Sequence, residues 1–226
     1  MTTGTQPRVI GILLAGGESR RMGQDKASLP ATSDASFPSL LAQQLDLLQQ
    51  LPLERLWISR HQNHDALSPE LAAMTVTDAR SDIHLGPLAG IHSAILHDQQ
   101  QAQQHNLATA DAALIVPVDL PLLDKATISQ LLTTGMQSGQ ACYFLQDYLP
   151  LYLPLHPPLG TTSDAATAQD ITTYLERTLS ATDADRSIRG LLKLCQPLSL
   201  QPADASKLTN TNTRDEWNAI QAQQGK

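Results

Sequence analysis

Aromatic residues and cysteines are both scarce in this chain. Only 4% of its 226 residues are aromatic, so the core must consist mainly of Leu, Ile, Val and Ala side chains. Cys142 and Cys195 are its two cysteines, and they do not form a CxxC pair. Two cysteines are too few for a disulfide scaffold. We therefore expect both to be structural thiols in a protein of a reducing compartment.

Basic residues are also few: 15 Lys and Arg stand against 22 Asp and Glu, which gives a net charge of −7. Binding nucleic acid over a broad surface requires clustered Lys and Arg that replace counterions. The charge balance therefore argues against a nucleic-acid partner. It leaves room for a small phosphate-bearing ligand, because such a ligand needs only one local pocket of donors.

Long hydrophobic runs are absent as well. No apolar run approaches the roughly 20 residues of a membrane span. The run at residues 9–15 ends at glycines and arginines rather than at a signal cleavage site. The sequence therefore predicts a cytoplasmic protein without a membrane partner. With 41% hydrophobic residues and no evident linker or repeat, residues 1–226 are predicted to form one domain.

Short β-like segments alternate with amphipathic helical segments along the chain. The predicted strands are residues 9–15, 55–59, 74–77, 112–118, 141–145 and 148–153. The predicted helices are residues 39–51, beginning with a Ser cap, 88–101 and 127–136. Right-handed crossovers between such units give a mostly parallel sheet with helices on both faces. The sequence thus predicts an α/β protein, a three-layer α/β/α sandwich with a Rossmann-like sheet.

Two local features are predicted within this pattern. Pro117 cannot donate a ladder hydrogen bond, so we expect it at the end of its strand. The Gln-rich residues 98–104 are interpreted as a solvated helix end.

The segment LAGGESRRMGQDK, residues 14–26, directly follows the first predicted strand. It matches neither the GxGxxG fingerprint of dinucleotide-binding folds nor the Walker A motif. The glycines at residues 16–17 let the backbone approach a ligand closely, and their N–H groups can converge on phosphate oxygens. Arg20, Arg21 and Lys26 add cationic donors. The segment is therefore either a phosphate-binding loop or an ordinary glycine turn flanked by solvated cations.

This loop resembles the signature LAGGxSxRMGxDKA of the molybdenum cofactor guanylyltransferases, the MobA-like nucleotidyltransferase family. Further segments similar to family motifs follow in the same order: GPLAG at 86–90, VPVDLPLL at 116–123, DRSIRGLL at 185–192 and NTNTRDE at 210–216. The resemblance implies a fold similar to nucleotide-diphospho-sugar transferases. It also implies transfer of GMP from GTP to Mo-molybdopterin, with Mg²⁺ as cofactor and release of pyrophosphate.

The resemblance implies a role for each matching residue. The implied catalytic residues are Lys26, Asp119 and Arg21, with Asp119 also the ligand of Mg²⁺. The implied GTP-binding residues are Leu14, Ala15, Gly16, Gly17, Lys26, Ser59, Asp78 and Asp119. The implied residues of the pterin side, in the C-terminal part of the chain, are Asn210 and Asn212.

Several of these residues have alternative roles. An aspartate at a strand end, such as Asp119, also serves as a helix cap or turn residue, and Asn210 and Asn212 also fit a turn. Asp82 competes with Asp78 for the contact with guanine.

Two further alternatives concern the loops. Ser59 stands where the family commonly has Asn, and Asn63 is the other residue that fits this place. One of Arg20 and Arg21 is expected on the phosphates, and the other then pairs with an acidic residue.

Two other functions fit the sequence. The first is a cytidylyltransferase of the same fold, acting on molybdopterin or a small alcohol phosphate. Such relatives usually read LAAG where this chain reads LAGG, so the second glycine favours guanine. The second is a catalytically idle nucleotide-binding maturation factor, which would not need a metal carboxylate at Asp119. For the guanylyltransferase, the resemblance implies molybdopterin-handling and molybdoenzyme maturation proteins as partners.

Overall fold

The computed structural model describes residues 6–16, 26–30, 37–60, 68–77, 86–145, 147–156, 170–211 and 213–224, with the backbone alone for residues 26 and 221–224. Within these ranges, none of the helices combines the length and the hydropathy that crossing a membrane requires.

Seven strands in the described ranges form one mixed sheet with the order β3-β2-β1-β4-β6-β5-β7. The strands are β1 (Val9–Leu14), β2 (Arg55–Arg60), β3 (Thr75–Thr77), β4 (Ala112–Pro117), β5 (Cys142–Phe144), β6 (Asp147–Pro154) and β7 (Leu198–Leu200). The first four are parallel to one another. β6 runs antiparallel to its neighbours β4 and β5, and β7 pairs parallel with β5.

Helices cover both faces of this sheet. They are α1 (Leu40–Gln49), α2 (Pro69–Met74), α3 (Pro87–Gln104), α4 (Lys125–Ser138), α5 (Ile171–Ser180), α6 (Ile188–Cys195) and α7 (Arg214–Gln224), with short 3-10 helices at Lys26–Ser28 and Ala205–Leu208. One apolar cluster joins the sheet to α1, α4 and α7. A second cluster joins the opposite face to α3, α5 and α6. The predicted three-layer α/β/α sandwich is therefore confirmed.

The predicted strands and helices lie close to their expected limits. Ser39 caps α1 through its hydroxyl, as predicted. Pro117 is the last residue of β4, where a residue without an N–H is tolerated. The predicted strand 74–77 begins one residue late, because Met74 ends α2, a short helix that starts at the cap Ser68.

The interpretation of residues 98–104 as a solvated helix end is wrong for Asp98 and Ala102, which are both buried. Asp98 is 1% exposed. It accepts hydrogen bonds from Arg55 Nε at 2.6 Å and from Trp57 Nε1 at 2.9 Å. Asp98 lies inside α3 rather than at its end, and it faces β2. These donors compensate for the burial of the carboxylate.

The strand order changes direction at β1. The chain places β2 and then β3 on one side of β1, and afterwards returns to place β4 on the other side. Ligands of open α/β sheets bind outside the carboxyl ends of the strands at such a switch. We call this region, formed by the ends of β1, β2 and β4, the carboxyl edge. The residues that follow these strands in the sequence are therefore neighbours in space.

Candidate active site

Hydrogen bonds beyond the regular ladder hold the strand ends of the carboxyl edge together. Ala15 N–H donates to the Ser59 carbonyl at 2.9 Å, and Val118 N–H donates to the Leu14 carbonyl at 3.0 Å. Leu14 is also paired in register with Ser59. We call the segment at residues 14–26 the glycine loop. Its start, the end of β2 and the residues leading into Asp119 are thus fixed relative to one another.

The N-terminus of α3 lies at the same edge. Its cap, Gly86, has φ +72°. Because glycine has no side chain, it cannot cap the N–H groups of the first turn as Ser or Asp would. Gly90, in that first turn, lies so close to β2 that a Cβ built on it would collide with the Ser59 hydroxyl. The same Cβ would come within 3.5 Å of Leu14 Cδ2. The partial positive charge of the helix N-terminus is therefore held beside the carboxyl ends of β1 and β2.

The NTNT segment near the end of the chain meets the loop after β4. Thr211 N–H donates to the Asp119 carbonyl at 3.1 Å, and Thr211 Oγ1 lies 3.5 Å from the same oxygen. Thr211 is 1% exposed, whereas Asn210 is exposed and Asp119 is half-buried. The predicted pterin-side residue Asn210 thus lies in the segment that contacts the predicted metal ligand.

A second contact ties the same two segments together. Lys207 Nζ lies 3.6 Å from Asp124 Oδ2, and Asp124 caps α4 by accepting a hydrogen bond from Thr127 N–H at 2.9 Å. Burial by itself would raise the pKa of Asp124, but hydrogen bonds from Thr127 and the charge of Lys207 lower the pKa overall. The carboxylate therefore remains ionised at neutral pH and holds the short helix before Asn210 in place.

The position of Asp119 is compatible with the predicted role as a ligand of a hydrated, phosphate-bound Mg²⁺. Among the described residues, no group of three or more His, Cys, Asp and Glu side chains could hold a metal ion. Mg²⁺ does not require such a group, because it keeps several waters and binds through one or two carboxylates together with substrate phosphates. A half-buried aspartate at the carboxyl edge meets this requirement.

Several predicted site residues lie outside the described residues: Gly17, Arg20, Arg21, Asn63, Asp78, Asp82 and Asn212. For Lys26 the structure gives a backbone position, at the start of the first 3-10 helix. The roles of all these residues stay predictions. The described residues that the fold brings to the carboxyl edge or to the Asp119 loop are Leu14, Ala15, Gly16, Ser59, Asp119 and Asn210.

Two residues at this site were missed by sequence reasoning. Thr211 lies between Asn210 and Asn212, which were both predicted site residues. Its position inside that motif was the only signal for it. Gln44 of α1 is 0% exposed and donates from Nε2 to the Leu120 carbonyl at 2.8 Å. Helical spacing was the available signal for Gln44, which lies three residues after Leu41 and four before Leu48, on the apolar stripe of α1.

Comparisons with known proteins agree with this geometry. Residues 11–194 match the sequence profile of the MobA-like NTP transferase domain. A molybdenum cofactor guanylyltransferase from Xanthomonas euvesicatoria is 31% identical over 215 residues, which cover 93% of this chain and 93% of that protein.

Solved structures of similar shape include molybdopterin-guanine dinucleotide biosynthesis protein A from Archaeoglobus fulgidus. It has a TM-score of 0.62 at 18% identity, covering 94% of this chain and 97% of that one. The manganese complex of Rv0371C from Mycobacterium tuberculosis has a TM-score of 0.53 at 15% identity, covering 96% of this chain and 100% of that one. At these identities the two structures support the fold alone.

The family follows from the sequence matches. The profile spans most of the chain, and the relative from Xanthomonas aligns over nearly its whole length. The resemblance predicted from the motifs is thereby confirmed. The chain belongs to the MobA-like NTP transferase family, a family of nucleotidyltransferases.

Proposed function

We propose that this protein transfers GMP from GTP to Mo-molybdopterin, which forms molybdopterin guanine dinucleotide and releases pyrophosphate. One observation carries the proposal: Thr211 N–H, in the NTNT segment, donates to the Asp119 carbonyl. This contact lies at the carboxyl edge, where β1 leads into the glycine loop. Three family motifs, far apart in the sequence, thus meet at one place. The 31% identity to a molybdenum cofactor guanylyltransferase supports the same reaction.

The reaction exchanges one phosphoanhydride bond for another. An oxygen of the terminal phosphate of molybdopterin attacks the α-phosphorus of GTP. The bond from the α-phosphorus to the oxygen that bridges it to the β-phosphate then breaks, and pyrophosphate leaves with the electron pair. Attacking and leaving groups are both anionic, so the protein must hold them in line and neutralise their charge.

The triphosphate is proposed to bind between α3 and the glycine loop. The first turn of α3 offers N–H groups that the Gly86 cap leaves available, and Gly90 holds this turn against β2. Arg21 and Lys26 supply cationic side chains from the loop. Lys26 stabilises the charge that grows on pyrophosphate as the bond breaks.

Asp119 is proposed to hold Mg²⁺, which when bound neutralises charge on the phosphates as a Lewis acid. The manganese complex of a structural relative supports a divalent metal in this fold. The contact from Thr211 to the Asp119 carbonyl fixes the loop that carries the carboxylate. Asn210 and Asn212, on either side of Thr211, are proposed to contact the pterin substrate.

Guanine is proposed to be selected by Asp78, because a carboxylate accepts hydrogen bonds from guanine N1–H and N2–H₂ and finds no such donors on adenine. The backbone of Leu14 and Ala15 is proposed to contact the base and ribose, with Ser59 or Asn63 as a further contact. The cytoplasm is the proposed compartment, with molybdopterin-handling and molybdoenzyme maturation proteins as proposed partners.

The proposal is tested by incubating the pure protein with GTP, MgCl₂ and molybdenum-loaded molybdopterin. We expect pyrophosphate and the dinucleotide in equal amounts, measured by a coupled phosphate assay and by mass spectrometry. A parallel panel of ATP, CTP, GTP and UTP tests the base, and a preference for CTP would indicate a cytidylyltransferase instead. GTP binding without transfer would indicate a nucleotide-binding maturation factor.

A further inference from the structure

Side-chain amides of α1 contact the loop that carries Asp119. Gln44 Nε2 donates to the Leu120 carbonyl at 2.8 Å, and Gln43 Nε2 donates to the Pro121 carbonyl at 3.0 Å. The glutamines precede their acceptors by 76 and 78 residues. Together they contact the two peptide carbonyls that directly follow Asp119.

Two further segments are hydrogen-bonded to the same loop and to the residue before it. Thr211 N–H donates to the Asp119 carbonyl at 3.1 Å, and Val118 N–H donates to the Leu14 carbonyl at 3.0 Å. Three consecutive carbonyls, at residues 119–121, thus accept hydrogen bonds from segments distant in the sequence. Because these bonds fix the peptide planes on both sides of the loop, they also fix the direction in which the Asp119 side chain leaves the backbone.

The Leu120 carbonyl would have a hydrogen-bond donor even without Gln44. That oxygen also accepts a hydrogen bond from Leu123 N–H at 3.1 Å. Gln44 itself is 0% exposed, and its buried Oε1 has no hydrogen-bond partner among the residues that the structure describes. A buried amide oxygen without a partner destabilises a fold, so stability alone does not account for a glutamine at this position.

We propose that Gln44 is a positioning residue that acts through Asp119. Its amide holds the Leu120 peptide so that the Asp119 carboxylate meets the metal–nucleotide complex without rearrangement. The proposal rests on the metal role assigned to Asp119 under the proposed function. It is independent of which base the nucleotide carries and of the acceptor. Residues that support a metal ligand typically change metal affinity or activity 10- to 100-fold when they are replaced.

The test compares Gln44→Met with Gln49→Met in the full-length protein. Methionine keeps the length and helix propensity of glutamine but removes the amide. Gln49 is exposed on the same helix, which makes it a matched control. We expect Gln44→Met to raise the Mg²⁺ concentration for half-maximal GMP transfer at least ~10-fold, with a melting temperature equal to or above that of the wild type. Gln49→Met should change neither quantity.

A second measurement does not depend on turnover. Electron paramagnetic resonance of Mn²⁺, titrated into protein saturated with a non-hydrolysable GTP analogue, reports metal affinity directly. Weaker Mn²⁺ binding by Gln44→Met supports the inference, whether or not the wild type transfers GMP. Absence of GMP transfer by the wild type would overturn the proposed function alone. Wild-type metal dependence in Gln44→Met, or no Mn²⁺ binding by the wild type, would overturn the inference. A lowered melting temperature with unchanged metal affinity would also overturn it, because it would indicate a purely structural role.

Discussion

Gly90 of α3 and Ser59 of β2 are in such close contact that there is no space for a Cβ at position 90. A Cβ built there would overlap the Ser59 hydroxyl but would lie 3.4 Å from Ser59 Cβ, an ordinary contact. Ser59 is 4% exposed, so its hydroxyl has little room to move aside. The distance between the helix N-terminus and the end of β2 therefore depends on this pair of small residues.

This relationship predicts the outcome of a double-mutant cycle. Gly90→Ala should displace the first turn of α3 and raise the KM for GTP about 10-fold, since small shifts of a positioned group are costly. Ser59→Ala combined with Gly90→Ala should restore most of the lost affinity, because the colliding oxygen is then absent. Steady-state kinetics of the two single variants and the double variant measure the coupling. A large rise in KM for Ser59→Ala alone would instead indicate that the hydroxyl itself binds GTP.

Asp119→Asn should abolish the metal-dependent step while leaving the fold intact. The amide keeps the size of the carboxylate but loses its charge, so we expect turnover to fall at least ~100-fold. The melting temperature should change little, because the contact from Thr211 is made to the main-chain carbonyl. Asp46→Asn, at an exposed position of α1, is the control. Near-normal turnover of Asp119→Asn would remove Asp119 from the metal site.

Lys26→Met should remove the cation assigned to the triphosphate. We expect turnover to fall at least ~100-fold, the scale for loss of a group that stabilises transition-state charge. Lys193→Met is a matched control, because Lys193 is exposed and its partner Asp185 lies on the surface. Rapid-quench measurement of GMP transfer separates this step from product release. Equal rates in the two variants would show that Lys26 does not contact the reacting phosphates.

Asp98→Ala should destabilise the protein without altering the chemistry of the site. The substitution leaves Arg55, whose side chain is 17% exposed, without its carboxylate partner. We expect a loss of about 3 kcal/mol in the free energy of unfolding, the scale for removing one partner of a buried ion pair. Urea denaturation measures this loss. Lys193→Met should change the free energy of unfolding little, because its ion pair is exposed. A similar loss in both variants would contradict the structural role of Asp98.

The two cysteines should be unreactive in the folded protein. Burial raises the pKa of Cys142 and raises the pKa of Cys195 to about 11. Because the thiolate is the reactive form, a raised pKa leaves both thiols protonated at pH 8. We expect negligible reaction with a disulfide reagent under native conditions and reaction of both thiols after unfolding in guanidinium. Fast stoichiometric labelling of the native protein would contradict this prediction.

Part of the fold could be predicted because burial leaves a periodic pattern in the sequence. β1 and β4 are covered on both faces and therefore appear as continuous apolar runs. α5 and α6 were not predicted, although α6 carries a regular apolar stripe, because each spans only two or three helical turns and so shows a short periodic pattern. Met74 was assigned to a strand because a short apolar segment is compatible with either helix or strand.

The candidate site was predictable to the extent that its residues lie in contiguous motifs. The glycine loop, Asp119 and the NTNT segment each carry a local signature, and the order of strands predicted that the first two lie at one edge of the sheet. Gln44 and Asp98 belong to no such motif: helical spacing places each on an apolar stripe, but it does not identify a partner. Their partners, the Leu120 carbonyl and Arg55, lie 76 and 43 residues away.

The amino-acid sequence by itself determined the alternation of strands and helices, the family and the residues that follow the central strands, since each depends on local composition and spacing. The tertiary structure decided which polar groups meet: Asp98 with Arg55, Gly90 with Ser59, and Thr211 with the Asp119 carbonyl. Those contacts depend on the register and distance between elements remote in the chain. Periodicity reports which face of an element is buried, but it does not report what lies against that face.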